Sequence, residues 1–363
     1  MKFFRSILLS LIVTALLSLT LFQYVPIARG VDVSNLEMPF TTVWADQPPS
    51  DDTTPPDTSL TSFSPDPTND NTPRYSGSAT DDMSDVVDIE YRVDGEAWRN
   101  VDPFTPARSV SFTFTTPTLS DGTHTIRTRA KDDANNWETS YASDTITVDT
   151  TSPPTPTVSS STHPNVDRWY SNNDPSFTWT TPSDDSGIEG YSYSLDQSPS
   201  TTPDRRIDTT GNSVSYSNKD DRIWYFHVRA QDRAGNWGPA DHYGVRIDTE
   251  EPSASISINE DAVYTDSTSV TLTLSYSDAL SGVKDCQYRN QGGSWTSWES
   301  CRSTKSWDLT SGDESKTVYY QVRDNAENIE RVSASIILDT GGPPRPAISS
   351  STHQNEDNWY SNN

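Results

Sequence analysis

The sequence predicts an all-β chain built as a row of small β-sandwich domains. Three observations carry that reading. A punctuation motif returns at nearly equal intervals, the apolar residues between its copies alternate with a period of two, and the composition favours turns over helices. Of 52 acidic residues 39 are Asp and 13 Glu, and there are 25 Pro and 16 Gly. Asp bonds its own backbone in turns, whereas Glu tolerates helix interiors, so this bias points to short strands joined by many turns.

The motif comprises Asp52-Thr53-Thr54-Pro55-Pro56, Asp149-Thr150-Thr151-Ser152-Pro153, Asp248-Thr249-Glu250-Glu251-Pro252 and Asp339-Thr340-Gly341-Gly342-Pro343, with separations of 97, 99 and 91 residues. It delimits three units, 53–150, 151–249 and 250–341. A second match lays Arg129-Ala130-Lys131-Asp132-Asp133-Ala134-Asn135-Asn136-Trp137 over Arg229-Ala230-Gln231-Asp232-Arg233-Ala234-Gly235-Asn236-Trp237. The third unit keeps a shorter form, Val322-Arg323-Asp324-Asn325-Ala326-Glu327-Asn328-Ile329.

Alternation then places the strands. Ile146 and Val148, Val245 and Ile247, and Ile336 and Leu338 mark each unit's final strand. Before it, across the Asp-rich turn, come Trp224, Phe226 and Val228 in the second unit and Val318, Tyr320 and Val322 in the third. Earlier strands are read at Phe177–Trp179, Val270–Leu274, Ile89–Val93, Tyr191–Leu195 and Cys286–Tyr288, with turns at Ser186-Gly187 and Ser281-Gly282. About seven short strands in roughly 95 residues is the pattern of an immunoglobulin-like sandwich.

Flanking segments follow. Lys2 and Arg5 precede an apolar run from Ile7 to Phe22, then Pro26 and Ala28-Arg29-Gly30. These are the three parts of a secretory signal peptide over residues 1–30, with cleavage after Gly30. An uncleaved anchor is the rival reading, against which the run is short for a bilayer span. Either way the remainder is expected outside the cell, secreted or at its surface, with 31–52 as a linker. Val158–Asn173 returns as Ile348–Asn363, so residues 342–363 are expected to begin a fourth, truncated unit of a longer array.

The formal charge of −26 opposes nucleic acid as a partner, because phosphate contacts need clustered Lys and Arg. An apolar fraction of 31% could signal disorder, but 11 Trp, 16 Tyr and 10 Phe can fill thin cores.

At this point the residues carry a resemblance. Phe177-Thr178-Trp179, Ser186-Gly187-Ile188, Gly190-Tyr191-Ser192-Tyr193, Trp224–Ala230 and Ala234-Gly235-Asn236-Trp237 resemble fibronectin type III-like or Ig-like modules of prokaryotic surface proteins. The first unit, with Pro67-Thr68, Asp94-Gly95 and Leu119–His124, is similar to bacterial Ig-like repeats; the third, with Gly293–Trp298 and Val318–Asp324, is similar to modules of related secreted proteins. The resemblance covers residues 53–340. It implies tandem immunoglobulin-like (fibronectin type III-like) β-sandwiches after a signal peptide, with a role in attachment or envelope structure. Vertebrate antibody domains are matched in architecture only, since their Cys, Trp, Cys spacing is absent.

The site residues are weighed against plainer readings. His124, His163, His227, His242 and His353 show no zinc-ligand spacing, and no nucleophile elbow, phosphate loop or metalloprotease motif occurs. No catalytic residues and no required cofactor are therefore expected. Calcium is the sharper candidate, because two acidic turns recur in each unit and hard cations take several loop oxygens. One set is Asp81, Asp82 and Asp85, Asp184 and Asp185, and Asp278; the other is Asp132 and Asp133, Asp232, and Asp324. The same side chains could instead cap turns and keep the surface soluble. Cys286 and Cys301 flank a Gly-rich turn, and an exported chain permits them a disulfide; a free thiol pair is the alternative. Trp98, Trp137, Trp169, Trp237 and Trp298 are read as core or inter-module packing rather than as exposed platforms for sugars or partners. No Asn-x-Ser/Thr sequon occurs.

The leading expectation is a non-catalytic, extracellular spacer with an adhesion, envelope or binding role, meeting a protein or carbohydrate outside the cell. The alternative is a set of accessory modules of a secreted glycoside hydrolase or peptidase whose catalytic domain lies beyond Asn363.

Overall fold

Period-two burial is clear in strands such as Ser109–Thr115 and Ser269–Ser277 of the computed structural model, which describes residues 52–347, all within one compact unit. The expected signal peptide, the linker up to Asp51 and residues 348–363 of the expected fourth unit lie outside the described residues. No α-helix occurs among the described residues, and each repeat folds into seven strands.

In the first module these are β1 (Asp57–Leu60), β2 (Arg74–Thr80), β3 (Val86–Val93), β4 (Arg99–Asn100), β5 (Ser109–Thr115), β6 (Gly122–Asp132) and β7 (Ala142–Val148). They pair as β1-β2-β5 against β4-β3-β6-β7. The second has β8 (Val158–Ser159), β9 (Trp169–Tyr170), β10 (Ser176–Trp179), β11 (Ile188–Asp196), β12 (Ser213–Ser215), β13 (Arg222–Asp232) and β14 (Asp241–Ile247), arranged β8-β10-β12 against β11-β13-β14-β9. The third has β15 (Ser253–Ile258), β16 (Tyr264–Thr265), β17 (Ser269–Ser277), β18 (Val283–Asn290), β19 (Thr304–Asp308), β20 (Glu314–Asp324) and β21 (Ile329–Leu338), arranged β15-β17-β19 against β16-β21-β20-β18. A three-stranded sheet facing a four-stranded one is thus built three times.

The reason is visible in β5 and β17. In β5 Val110, Phe112 and Phe114 are buried while Ser109, Ser111, Thr113 and Thr115 are exposed, and β17 turns Val270, Leu272 and Leu274 inward and its Ser and Thr outward. Each inner face is filled by aromatics. Tyr91 stacks on Phe114 with ring centroids 4.2 Å apart, Phe177 on Phe226 at 4.3 Å, and Tyr288 on Tyr320 at 5.2 Å. The pairs expected to close each unit, from Ile146 and Val148 to Ile336 and Leu338, all lie in these cores.

The core half of the Trp expectation is corrected, while Trp169 lines a cleft with Ser281, Lys284 and Asn325 of the third module. Trp98, Trp137, Trp169, Trp237 and Trp298 are half-buried and belong to none of the three cores; Trp179 does. On the outer face of the four-stranded sheets Trp98, Trp137, Trp237 and Trp298 are packed by cations instead. Arg129 lies 4.3 Å from the Trp98 ring centre and 4.2 Å from that of Trp137, Arg229 is 4.8 Å from Trp237, and Arg323 is 4.2 Å from Trp298. A guanidinium over an indole is attractive and also shields the ring.

Cys286 and Cys301 form a disulfide with a Cα–Cα distance of 5.2 Å. Cys286 is fully buried against Tyr320. Closing a loop over a sequence separation of 15 restricts the unfolded chain. Replacing both residues by Ala is expected to destabilise the third module by about 3 kcal/mol. The check is a lowered denaturant midpoint for that module, with the other two unmoved.

Candidate cation sites at the module entrances

Each module opens with the same local construction. The strand before the last ends in a buried Asp, and the turn that follows is Asp-x-Ala-x-Asn: Asp132 to Asn136, Asp232 to Asn236, Asp324 to Asn328. The fourth turn residue is left-handed in all three, Asn135 at φ 79°, Gly235 at 99° and Glu327 at 77°. That conformation folds the final Asn back over the Asp. The Asn136 backbone N–H donates to Asp132 Oδ1 at 2.7 Å and its amide Nδ2 donates to Oδ2 at 2.8 Å; Asn236 and Asn328 make the same pair of bonds at 2.8 Å.

The Asn amide then reaches one step further, to the connector. Nδ2 of Asn136 donates to the Asp52 carbonyl at 3.2 Å, that of Asn236 to the Asp149 carbonyl at 2.8 Å, and that of Asn328 to the Asp248 carbonyl at 2.8 Å. Asp149 and Asp248 are thereby shared between modules. The Asp149 N–H donates back to Thr68 of the first module, and the Asp248 N–H to Tyr170 of the second.

A third Asp arrives from the loop after the second sheet strand. Asp81 Oδ1 accepts from the backbone of Met83 and Ser84, Asp184 Oδ1 from Ser186, and Asp278 Oδ1 from Leu280 and Gly282. Gly187 and Gly282, at φ 81° and 80°, supply the left-handed step these turns need. A bulge beside each site shifts the register between Val86 and Asp88, Ile188 and Gly190, and Val283 and Asp285, where the strand passes the buried Asp.

Three triads result: Asp52, Asp81 and Asp132; Asp149, Asp184 and Asp232; Asp248, Asp278 and Asp324. Within each, one carboxylate oxygen per residue lies within 4.8 Å of the other two. Asp132, Asp232 and Asp324 are almost fully buried, and Asp52 and Asp149 retain 7% and 4% exposure. Oδ2 of Asp52, Asp81 and Asp149 is buried without any hydrogen-bond partner. In the third triad Asp248 Oδ2 accepts from the Ser281 N–H at 3.0 Å. Burial pushes the Asp232 carboxyl up from its ordinary value; the Asn236 bonds oppose this and the Asp184 charge adds to it. Asp324 is raised in the same way, by burial and then by Asp248 and Asp278, against its Asn328 bonds.

Of the Asp residues read from sequence as calcium candidates, Asp81, Asp132, Asp184, Asp232, Asp278 and Asp324 enter the triads. Asp82, Asp85, Asp133 and Asp185 stand outside them; Asp82 and Asp185 are exposed, and the Asp133 N–H instead bonds the Asp85 carbonyl. Asp52, Asp149 and Asp248 were legible only as punctuation. Their signal was the invariance of Asp at the head of the repeated motif. The histidines also rearrange: His124 and His163 have both ring nitrogens engaged locally, whereas His227 and His242 meet across β13 and β14.

Residues 47–150 match a family model described as a bacterial Ig-like domain. No curated protein matches the chain. Among solved structures, it is similar to the fibronectin(III)-like modules of Clostridium thermocellum CbhA, with 11% identity over 50% of this chain and 94% of that one, at a TM-score of 0.30. It is also similar to a structure concerning host cell surface retention of a 1.5-MDa bacterial ice-binding adhesin (17% identity, 79% and 98% coverage, TM-score 0.37). A tetra-tandem repeat from the extending region of a large adhesion protein gives 21% identity, 78% and 74% coverage, and a TM-score of 0.25. The fold is that of tandem Ig-like sandwiches.

Asn236→Ala removes the donor from Asp232 Oδ2 and from the Asp149 carbonyl together, and is expected to destabilise by about 1–3 kcal/mol, measured by denaturant unfolding. A pH series on Asp324→Asn tests the carboxylate. Because its folded pKa is raised, ionised Asp324 costs stability at neutral pH, and the cost disappears as pH falls through the folded value. In metal-free buffer the stability of the variant relative to the native chain is therefore expected to be highest near neutral pH and to decline on acidification.

Proposed function

We propose that this chain is an exported, non-catalytic array of Ig-like modules, an acidic spacer displayed outside the cell, in which each module entrance holds one calcium ion. The observation that carries the reading is the triad itself. It is built three times from the same three positions, and two of its copies have a connector oxygen that is buried and unpartnered.

The physical case rests on distance and charge. Two oxygens on opposite sides of a calcium ion at about 2.4 Å stand about 4.8 Å apart, the span within which these carboxylates converge. Two bare carboxylates at that separation repel by about 3 kcal/mol at an effective dielectric near 20, and a divalent cation turns each repulsion into attraction. The set is all oxygen and irregular in geometry, which suits a hard, flexible cation better than zinc or copper. Backbone carbonyls and solvent would complete the shell.

Such an ion does more than stabilise a module. In the second and third triads one ligand belongs to the connector leaving the preceding module and two belong to the next, so the ion would fix the joint. Asn69 and Arg168 add ties at the same places, from the Asn69 N–H to the Ala234 carbonyl at 3.1 Å and from Arg168 to Glu327 at 3.3 Å. Exposed ion pairs of that kind contribute little by themselves. A spacer that must hold reach and orientation gains from stiff joints, and the expected signal peptide supports placing the chain where free calcium is abundant.

Thermal melts of the full chain in millimolar calcium and in chelator test the proposal. A ligand that binds only the folded state adds about 2.7 kcal/mol at a hundred times its dissociation constant, so calcium should raise the midpoint. The double variant Asp149→Asn with Asp248→Asn should lose most of that gain. Equal midpoints with and without calcium would sink the idea. Protons compete for the raised Asp232 and Asp324 carboxylates, so calcium affinity is expected to weaken as pH falls.

A further inference from the structure

A second group of ligand atoms converges far from this chemistry, on the outer face of the four-stranded sheet of the second module. In β13, Phe226, Val228 and Ala230 point into the core, so His227 between them points outward by strand alternation. It is nevertheless fully buried. Asp196, at the end of β11, meets its Nε2 at 3.3 Å, with the Ser198 backbone also at hand. Ser194 and His242 are its direct neighbours on the two flanking strands. His242 is exposed, and its Nδ1 lies 2.7 Å from Nδ1 of His227. The Ser194 Oγ beside them is buried without a partner.

The tautomers follow from these contacts. Asp196 accepts from Nε2–H of His227, which leaves a lone pair on its Nδ1. With the second nitrogen at 2.7 Å, one proton on His242 Nδ1 bridges the two rings. A carboxylate that orients one imidazole nitrogen while the other presents its lone pair is the arrangement that prepares histidine as a metal ligand.

We propose that His227 Nδ1 and His242 Nδ1 chelate a borderline divalent transition metal, copper(II) or nickel(II), with Asp196 as a positioning residue and solvent filling the remaining positions. Displacing the bridging proton to solvent leaves both nitrogens as donors. Metal–nitrogen bonds of about 2.0–2.1 Å at a right angle put the nitrogens about 2.9 Å apart, whereas a tetrahedral angle needs about 3.3 Å. The observed 2.7 Å lies nearer the first, and square-planar nitrogen sites select copper(II) and nickel(II). Neutral imidazoles are poor ligands for calcium, so the pair is chemically separate from the Asp triads and stands whether or not those bind an ion.

The test titrates the full chain with copper(II) in the presence of millimolar calcium, which keeps the carboxylates engaged, and follows heat and electron paramagnetic resonance together. One tight equivalent whose signal carries coupling to two imidazole nitrogens is expected. His242→Ala removes an exposed ring from the surface and should weaken that class at least tenfold, leaving no more than one coupled nitrogen; Asp196→Asn should weaken it less and keep both. A native chain without a two-nitrogen signal, or an unchanged signal and affinity in His242→Ala, overturns the proposal.

Discussion

A bond from one amide side chain to one buried carboxylate governs how the modules are put together. Asn136, Asn236 and Asn328 each spend their backbone N–H and part of their Nδ2 on an Asp at the end of the long strand, and the rest of Nδ2 on a connector carbonyl. Burying an aspartate is costly unless its oxygens are bonded. Here the bonding comes from a turn that can form only with a left-handed residue just before the Asn. The connector is drawn in because the same amide has a second hydrogen to give. Sandwich packing, turn geometry and the path between modules are thereby joined in one short peptide.

This explains what was readable in the sequence and what was not. The strands were legible because Val110, Phe112 and Phe114, or Val270, Leu272 and Leu274, alternate against Ser and Thr without interruption. The loops were legible because Asp-x-Ala-x-Asn recurs. Two of the three carboxylates of each site were legible too, as acidic turns. The connector Asp was not, since a motif that marks a boundary carries no indication that its side chain folds into the next module. Nor was the pairing of His227 with His242, residues 15 apart, because it depends on hairpin register. Trp98, Trp137, Trp237 and Trp298 were misplaced because composition says only that indoles are bulky; they lie in loops or at isolated bridges beside the long strands, where Arg129, Arg229 and Arg323 make the outer face acceptable.

The acidic composition is likewise distributed unevenly. Many Asp residues are spent on turns, as in the Asp81, Asp184 and Asp278 loops, where one carboxylate oxygen satisfies one or two backbone N–H groups. Others are deeply buried. Net charge alone cannot separate these two uses, which differ in burial and in whether the second oxygen finds a donor.

The parallel pairing near each module's ends has a mechanical consequence. Thr68 bridges Val148, β9 pairs with β14, and β16 pairs with β21, all in parallel. The residue that follows the closing strand, Asp149, Asp248 or Asp339, adds a further bond back to the same early segment, at 2.9–3.0 Å. A chain tugged from both ends therefore loads these bonds lengthwise, in shear, so that they resist together instead of peeling open one after another. Tension along the array would load the leading strands β1, β8 and β15 and then this short parallel seam, and only afterwards the aromatic core behind them.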